Sequence, residues 1–447
     1  MSAKFNPKQE KNRLEELTLR LLEQSKRVGA DECEVAASAS LGLDIQARLG
    51  LAEKLEMTRD QSVSVTVFVG ESRGSATTTD LSDEALKSTL EAALSIAKVT
   101  APDPAAVLAS PAEIIREVQD LDLDHPWDLS ADEAIALAIA VESYGLKMDS
   151  RITNSEGGCV SSTRGISVHG TTEGLLVSQA SSIHGMSCVL LAEDGESRER
   201  SHAYTHARSP EQLKSAEEVG REAAAKTVAR LNPRKCRTAE VPVLFSPEVA
   251  SGLLSSFISA ISGGSLYRKS SYLLNRLDTQ VLPPWVTLTE NPLLPNGLGS
   301  AAYDGDGLPT RLQSFVEAGL LTSYVLSLYS ANRMSMKTTH NAGGVRNLFL
   351  SGGQSFDQLV ADMGSGLIVT ELMGQGANLV NGDYSRGASG FWVERGEIAY
   401  PVHEVTVASN LDRMMKDDLK AIGSDLDTRR SIATGSMLFE KMMVAGS

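Results

Sequence analysis

The sequence predicts an α+β protein in two domains. Residues 1–235 are expected to form an N-terminal antiparallel sheet with packed helices. Residues 236–447 are expected to form a C-terminal β-rich domain with one main helix near its start. Three observations lead there. A chain of 447 residues exceeds one ordinary domain. Short runs of alternating apolar and polar residues recur along it, the clearest being SVSVTVFVG, which puts Val63, Val65, Val67 and Val69 on one face. Helical periodicity brackets a meander of such runs instead of alternating with single strands, the pattern of an α+β layer.

In chain order, residues 10–28 read as a helix with Leu14, Leu17 and Leu21 on one stripe. Residues 33–39, 43–49, 53–58 and 61–69 read as four consecutive strands. Ser82 is an N-cap with Asp83 and Glu84 in the first turn, and Leu86, Leu90, Leu94 and Ala97 repeat at helical spacing. Pro102, Pro104, Pro111 and Pro126 mark residues 101–128 as a loop or linker with room for one short strand. Ser130 and Glu133 form a capping box that opens a helix to about Tyr144. Strands follow to Ala207. Ser209-Pro210-Glu211-Gln212 then reads as a helix start, with the helix running to about Leu231 and stopped by Asn232-Pro233.

The domain boundary is placed between Pro233 and Ala239. EVPVLF (240–245) opens the second domain as a strand. Ser246-Pro247-Glu248 starts its main helix, which turns Val249, Leu253, Leu254, Phe257, Ile258 and Ile261 inward and ends at Gly263-Gly264. The rest is β-rich, with turns at Asp304-Gly305-Asp306-Gly307, Glu317-Ala318-Gly319 and Arg395-Gly396.

Hydrophobic residues make up 42% and charged residues 22%, as in a soluble globular protein. A net charge of −15 argues against broad non-specific nucleic-acid binding, which needs a basic surface. MSAKFNPKQEKNRLEEL has no apolar signal region and no run is long enough to span a membrane, so the expectation is a cytoplasmic protein with no membrane partner. Cys33, Cys159, Cys188 and Cys236 form no close pair and read as small buried side chains, not zinc ligands.

The most unusual composition lies within Ser351–Asn410. GLIVTEL (366–372) is a strand, Gly374 to Gly390 a polar, glycine-rich loop, and Phe391 to Val407 a hairpin. Gly374 and Gly376 allow close backbone approach, while Asn378, Asn381, Asp383, Tyr384, Ser385 and Arg386 supply polar groups. These eight residues are the candidate binding surface. An Ω-type connection is the competing reading.

Other motifs are weaker. His202 and His206 have the spacing of metal ligands on a helix, but SHAYTHARSP lies between a strand-like run and a helix cap, which favours a strand or loop pair. His403-Glu404 sits on a strand, where neighbours point to opposite faces. Asp304-Gly-Asp-Gly lacks the remaining positions of a calcium loop. Gly374-Gln-Gly-Ala-Asn is no dinucleotide fingerprint, and there is no GxSxG elbow.

The segment GQGANLVNGDYSRGASGFWVERGEIAYPVHEVTVASNL (374–411) closely resembles the C-terminal signature of the TldD/PmbA family, in its PmbA (TldE) branch. RGSATTTDLSDEAL (73–86), AISGGSLYRKSSYLLNRL (260–277) and NLFLSGG (347–353) resemble the same branch, so the likeness spans the chain. The TldD branch is a metallopeptidase marked by HExxxH on a helix and a late cysteine. Anchored on Tyr267-Arg268-Lys269, that motif falls on Ser255 to Ala260. Ser255, Ser256 and Ala260 occupy the ligand and glutamate positions, and no cysteine follows Cys236. The resemblance therefore implies a chain without its own catalytic or metal residues, working with a TldD-type subunit that carries zinc. It further implies peptide substrates such as antibiotic precursors and labile antitoxins, a homodimer when alone, and the family's description as a DNA gyrase modulator. A non-enzymatic homodimeric peptide-binding protein and an independent peptidase with another site are the alternatives.

Overall fold

The computed structural model describes residues 5–446. Helix α1 (Pro7–Arg27) starts earlier than the leucine stripe suggests. Asn6 caps it by accepting from the Lys8 and Gln9 amides, and Pro7 occupies the first turn.

Where four short strands were expected, two long ones form: β1 (Glu32–Arg48) and β2 (Leu51–Val69), joined by a two-residue turn at Leu49 and Gly50, both at positive φ. Polar and small residues such as Ser38, Ser40 and Gly42 break the propensity signal. The strand continues through them because β1 is paired on both flanks. After β3 (Ser72–Thr78) come α2 (Asp83–Val99), capped by Ser82, and α3 (Ala131–Leu146), opened by the Ser130–Glu133 capping box. Residues 101–130 contain no strand. They cross the surface as a loop anchored by buried residues such as Ala109, Ile114, Leu121 and Leu123.

Strands β4 (Ile152–Thr171), β5 (Leu176–Asp194) and β6 (Ser197–Ala207) complete an antiparallel sheet of order β3-β2-β1-β4-β5-β6. The helix expected from Ser209 does not form there. Pro210–Gln212 makes one 3-10 turn, the chain extends at Leu213, and α4 (Ala216–Ala229) begins at a second capping box, Ser215 with Glu218. Helices α1 and α2 cover one end of the sheet, burying Leu14, Leu21, Leu86 and Leu90 on Val35, Val63 and Val65. Helices α3 and α4 cover the other, around Ala138, Val141, Leu190 and Ala223.

The second part opens with β7 (Ala239–Phe245) and α5 (Pro247–Ala260). Helix α5 ends ahead of Gly263-Gly264, and those glycines open the short α6 (Gly263–Tyr267) instead. Then follow β8 (Leu288–Glu290), β9 (Gln313–Glu317), β10 (Leu320–Leu321), α7 (Leu328–Arg333), β11 (Leu348–Leu350), α8 (Phe356–Met363), β12 (Gly366–Met373), β13 (Asp383–Glu394), β14 (Glu397–Asn410), α9 (Leu411–Arg413), β15 (Leu419–Ile422), β16 (Ile432–Thr434) and β17 (Met437–Ala445). The loop expected to reach Gly390 is shorter, because β13 already starts at Asp383. Gly387 and Gly390 are strand residues, and a Cβ at Gly390 would lie 1.8 Å from the Ile368 carbonyl oxygen, so the β12–β13 approach requires glycine there.

Strands β10-β9-β8-β11-β16 form a small sheet whose residues share one core with α5. The larger sheet closes on itself. Strand β12 pairs in parallel with β7 and antiparallel with β13, β13 pairs with β14, β14 with β17, and β17 with β7. Strand β15 hangs on β17 outside this circuit. Phe245 meets Phe439 edge-on at 5.5 Å and Tyr384 at 6.5 Å in the adjoining core.

Candidate functional site

Strand β12 keeps β13 to its end but loses β7 part of the way along. Leu367–Val369 pair with β7. Beyond them β7 turns into α5, and the Ser246 amide donates to the Val369 carbonyl at 3.0 Å as it leaves. On the other flank the ladder to β13 bulges at Thr370. Thr370 and Glu371 therefore face a cavity of about 700 Å³ between the first sheet and the second part of the chain.

Ion pairs hold that cavity's walls. Glu248, in the first turn of α5, accepts from Lys226 of α4 and from Arg429, both at 2.8 Å. Burial works to raise the Glu248 pKa, but these two cations outweigh it and hold the carboxyl below its ordinary value. Arg429 also forks onto Asp427, donates to the Tyr204 carbonyl at 2.7 Å, and lies 4.3 Å above the Tyr204 ring. Arg230 bridges Glu199 and Glu371. Sequence reasoning missed this cavity because its lining comes from many segments distant in the chain, none of which carries a local motif.

The loop after β12, residues 374–382, closes largely on itself. Asn378 accepts from the Val380 amide at 3.0 Å, Asn381 donates to Asp383 at 2.7 Å, and Asn410 donates to the Asn381 carbonyl at 2.9 Å. A Cβ on Gly376 would lie 1.8 Å from the Ser385 carbonyl oxygen, so the loop lies flat on β13 only with glycine there. Arg386 donates to the Gly374 carbonyl at 2.6 Å, and its buried Nε has no partner among the described residues. Tyr384 is 3% exposed, and its hydroxyl is likewise unpartnered among the described residues. Burial pushes its phenol up to about 12, against the pull of the neighbouring Arg386 cation.

Of the eight predicted residues, Gly376, Asn378, Asp383, Tyr384 and Ser385 line an open groove of about 520 Å³. Gly374, Asn381 and Arg386 instead belong to the bonds that hold the loop.

On α5, the Ser255 and Ser256 hydroxyls donate back to the Ser251 and Gly252 carbonyls at 2.8 and 2.9 Å, and Ala260 is buried. Two hydroxyls tied to helix carbonyls and a methyl group do not fit a zinc ion. Among the described residues, no three His, Cys, Asp or Glu side chains are grouped to hold a metal.

His202 and His206 lie on β6, on one face with Tyr204 between them at 6.3 and 5.8 Å. Both rings are open to solvent at the rim, yet burial by the surrounding wall is the main cause that lowers their pKa, with Arg429 adding to it at His206. His403 stands 3.4 Å from Glu199. Asp304 is a structural turn residue whose carboxylate accepts from the Asp306, Leu308 and Ala342 amides.

Three family models match the chain in sequence: PmbA/TldA metallopeptidase domain 1 over residues 33–97, the central domain over 124–231, and the C-terminal domain over 238–446. The protein belongs to the PmbA branch of the TldD/PmbA family. It is 44% identical over 418 residues to the metalloprotease PmbA of Escherichia coli O157:H7, covering 93% of each chain. A metalloprotease TldD homologue of Haemophilus influenzae is 24% identical over 395 residues, 82% of this chain and 80% of that one. In structure the chain is similar to a Bacteroides thetaiotaomicron protein proposed to modulate DNA gyrase, with a TM-score of 0.91, 25% identity, and coverage of 97% and 98%. No helix among the described residues is long and apolar enough to cross a membrane.

Proposed function

We propose that this chain is the PmbA/TldE-type subunit of a zinc peptidase assembly, and that its TldD-type partner carries the metal. The observation that supports this reading is α5. The three positions that hold the motif in a TldD-type chain carry Ser255, Ser256 and Ala260, whose groups are spent on helix bonds or buried packing.

In this reading the chain walls the chamber and holds an extended peptide. The flank of β12 freed at Thr370 offers backbone groups to a peptide of any sequence. The groove beside Asn378 and Ser385 lies past the end of the same strand and would hold a further part of the peptide. Unfolded or short peptides, including antibiotic precursors and labile antitoxins, are the substrate class, and effects on DNA gyrase follow indirectly from their processing. Without its partner the chain self-associates as a homodimer, in the cytoplasm.

The test is to purify the chain alone and with a TldD-type subunit, then compare zinc content and peptide cleavage. The chain alone should hold no stoichiometric zinc and cleave nothing. The pair should do both. Asn378→Ala and Ser385→Trp should lower cleavage by the pair without changing assembly. About one zinc per chain in the isolated protein, lost together with activity on chelation, would sink the proposal. Failure to co-purify with any TldD-type chain, with peptides still bound, would favour the non-enzymatic peptide-binding alternative.

A further inference from the structure

Strand β2 begins with nothing on its outer edge. Its inner edge pairs with β1 throughout, but β3 reaches only Val63–Val69. From Leu51 to Asp60 the outer row of peptide groups has no strand partner among the described residues, and every residue of the stretch is exposed. No proline guards this edge. Leu55 and Met57, opposite Ile45 and Leu43 of β1, share one face and are 46% and 52% exposed, while a bulge at Glu53 turns Leu51, 73% exposed, to the other face. That face runs into a groove of about 480 Å³ lined by Leu41, Leu43, Met57 and Trp127. So long an unpaired edge is a template for another strand.

The charges indicate which strand. Lys54 and Glu56 flank Leu55 at one residue, Ala52 and Thr58 at three, Leu51 and Arg59 at four. A two-fold axis through Leu55, perpendicular to the sheet, keeps each face on its own side. It sets Lys54 opposite the second copy's Glu56, twice, and Leu55 against Leu55. The bulge at Glu53 interrupts the regular register beyond Lys54, and around Leu55 no like charges oppose one another across the new seam. Within one copy, by contrast, Asp44 and Glu56 are direct cross-strand partners, a like-charge pair. Lys54 reaches only Glu56 on its own strand, at 2.9 Å. A second copy's Lys54 would answer that acidic pair.

We propose that Leu51–Asp60 is the surface on which two copies of this chain associate, by antiparallel pairing of β2 with β2 about Leu55, so that two sheets become one. This rests on the self-association proposed above and gives it a location.

Sedimentation at micromolar concentration tests it, with melting temperature and circular dichroism as folding controls, since the substituted side chains are exposed. The native chain should run at about twice 47.6 kDa. Lys54→Glu and Glu56→Lys each set like charges opposite one another twice, and each should weaken the dimer by roughly tenfold or more in dissociation constant. A one-to-one mixture of the two variants should restore association, and so should the double variant Lys54→Glu/Glu56→Lys. Single variants that dimerise as the native chain does, or a mixture that restores nothing, would overturn the surface while leaving self-association standing. A native chain that is monomeric would overturn both.

Discussion

The two six-stranded sheets of this molecule treat their edges in opposite ways. In the second part, β14 returns to β17, so five strands share a closed circuit and only β15 lies outside it. In the first, the sheet stays open and ten residues of β2 leave their outer edge bare. Closure satisfies the peptide groups from within and builds a core around Phe245 and Phe439. The open edge contributes little to the fold of one copy and is the surface proposed above for a second. The contrast separates residues that hold one chain together from residues proposed to meet another.

The sharpest way to break that contrast is in the closed half. Phe245→Ala should destabilise the protein by about 3–5 kcal/mol, read from denaturant unfolding, because Phe245 is fully buried among three strands. A loss below about 1 kcal/mol would mean that the circuit does not depend on its aromatic core.

Asp306 probes the junction between the halves. Burial raises its pKa to about 6, with Asp304 and Glu34 adding to the effect and the Leu328 amide and His169 opposing it. An acid whose folded pKa is raised contributes its stability below its ordinary value of 3.8 and loses it as pH climbs to about 6. Asp306→Asn keeps an oxygen for the Leu328 amide, which donates to Asp306 at 2.6 Å. It should flatten the stability profile between those pH values and gain up to about 3 kcal/mol at neutral pH. A profile unchanged by the substitution would remove Asp306 from the account.

Arg429→Ala cuts the seam itself, where one guanidinium ties Asp427 and Glu248 to the Tyr204 carbonyl. Being partly buried, it should cost about 1–3 kcal/mol, between exposed and buried pairs. Loss of the fold would place the seam on a par with the core. At the small end, Leu55→Ser on the open edge should change the stability of the isolated subunit by no more than about 0.5 kcal/mol, measured at concentrations too low for association. A larger loss would show that the hairpin is held by contacts within its own chain.

What could be read from the sequence follows the same division between local and distant causes. The Ser82 cap, the Ser130–Glu133 box and the valine alternation of β2 were legible because each is written within a few residues. The Ser215–Glu218 box was masked by the equally good start at Ser209, and an extended Leu213 decided between them. The glycines at 387 and 390 read as loop because their reason, the approach of β12, lies some twenty residues away. Five of the eight proposed binding residues do share a groove. The charged cavity was invisible because Arg200, Lys226, Glu248, Glu371 and Arg429 meet only after both parts of the chain are in place.

The closed circuit also bears on the order in which the molecule can assemble. Strand β7 is bounded by β12 on one side and β17 on the other, and β17 lies about two hundred positions further along the chain. On a ribosome, the first sheet is complete once β6 has emerged, built from strands that mostly follow one another in sequence. The second cannot shut until its last strand arrives, so β7 waits with one flank bare through most of the synthesis of its own domain. Nascent chains should therefore gain protease resistance in two steps, the first part early and the second only when residues 437–445 are free of the exit tunnel.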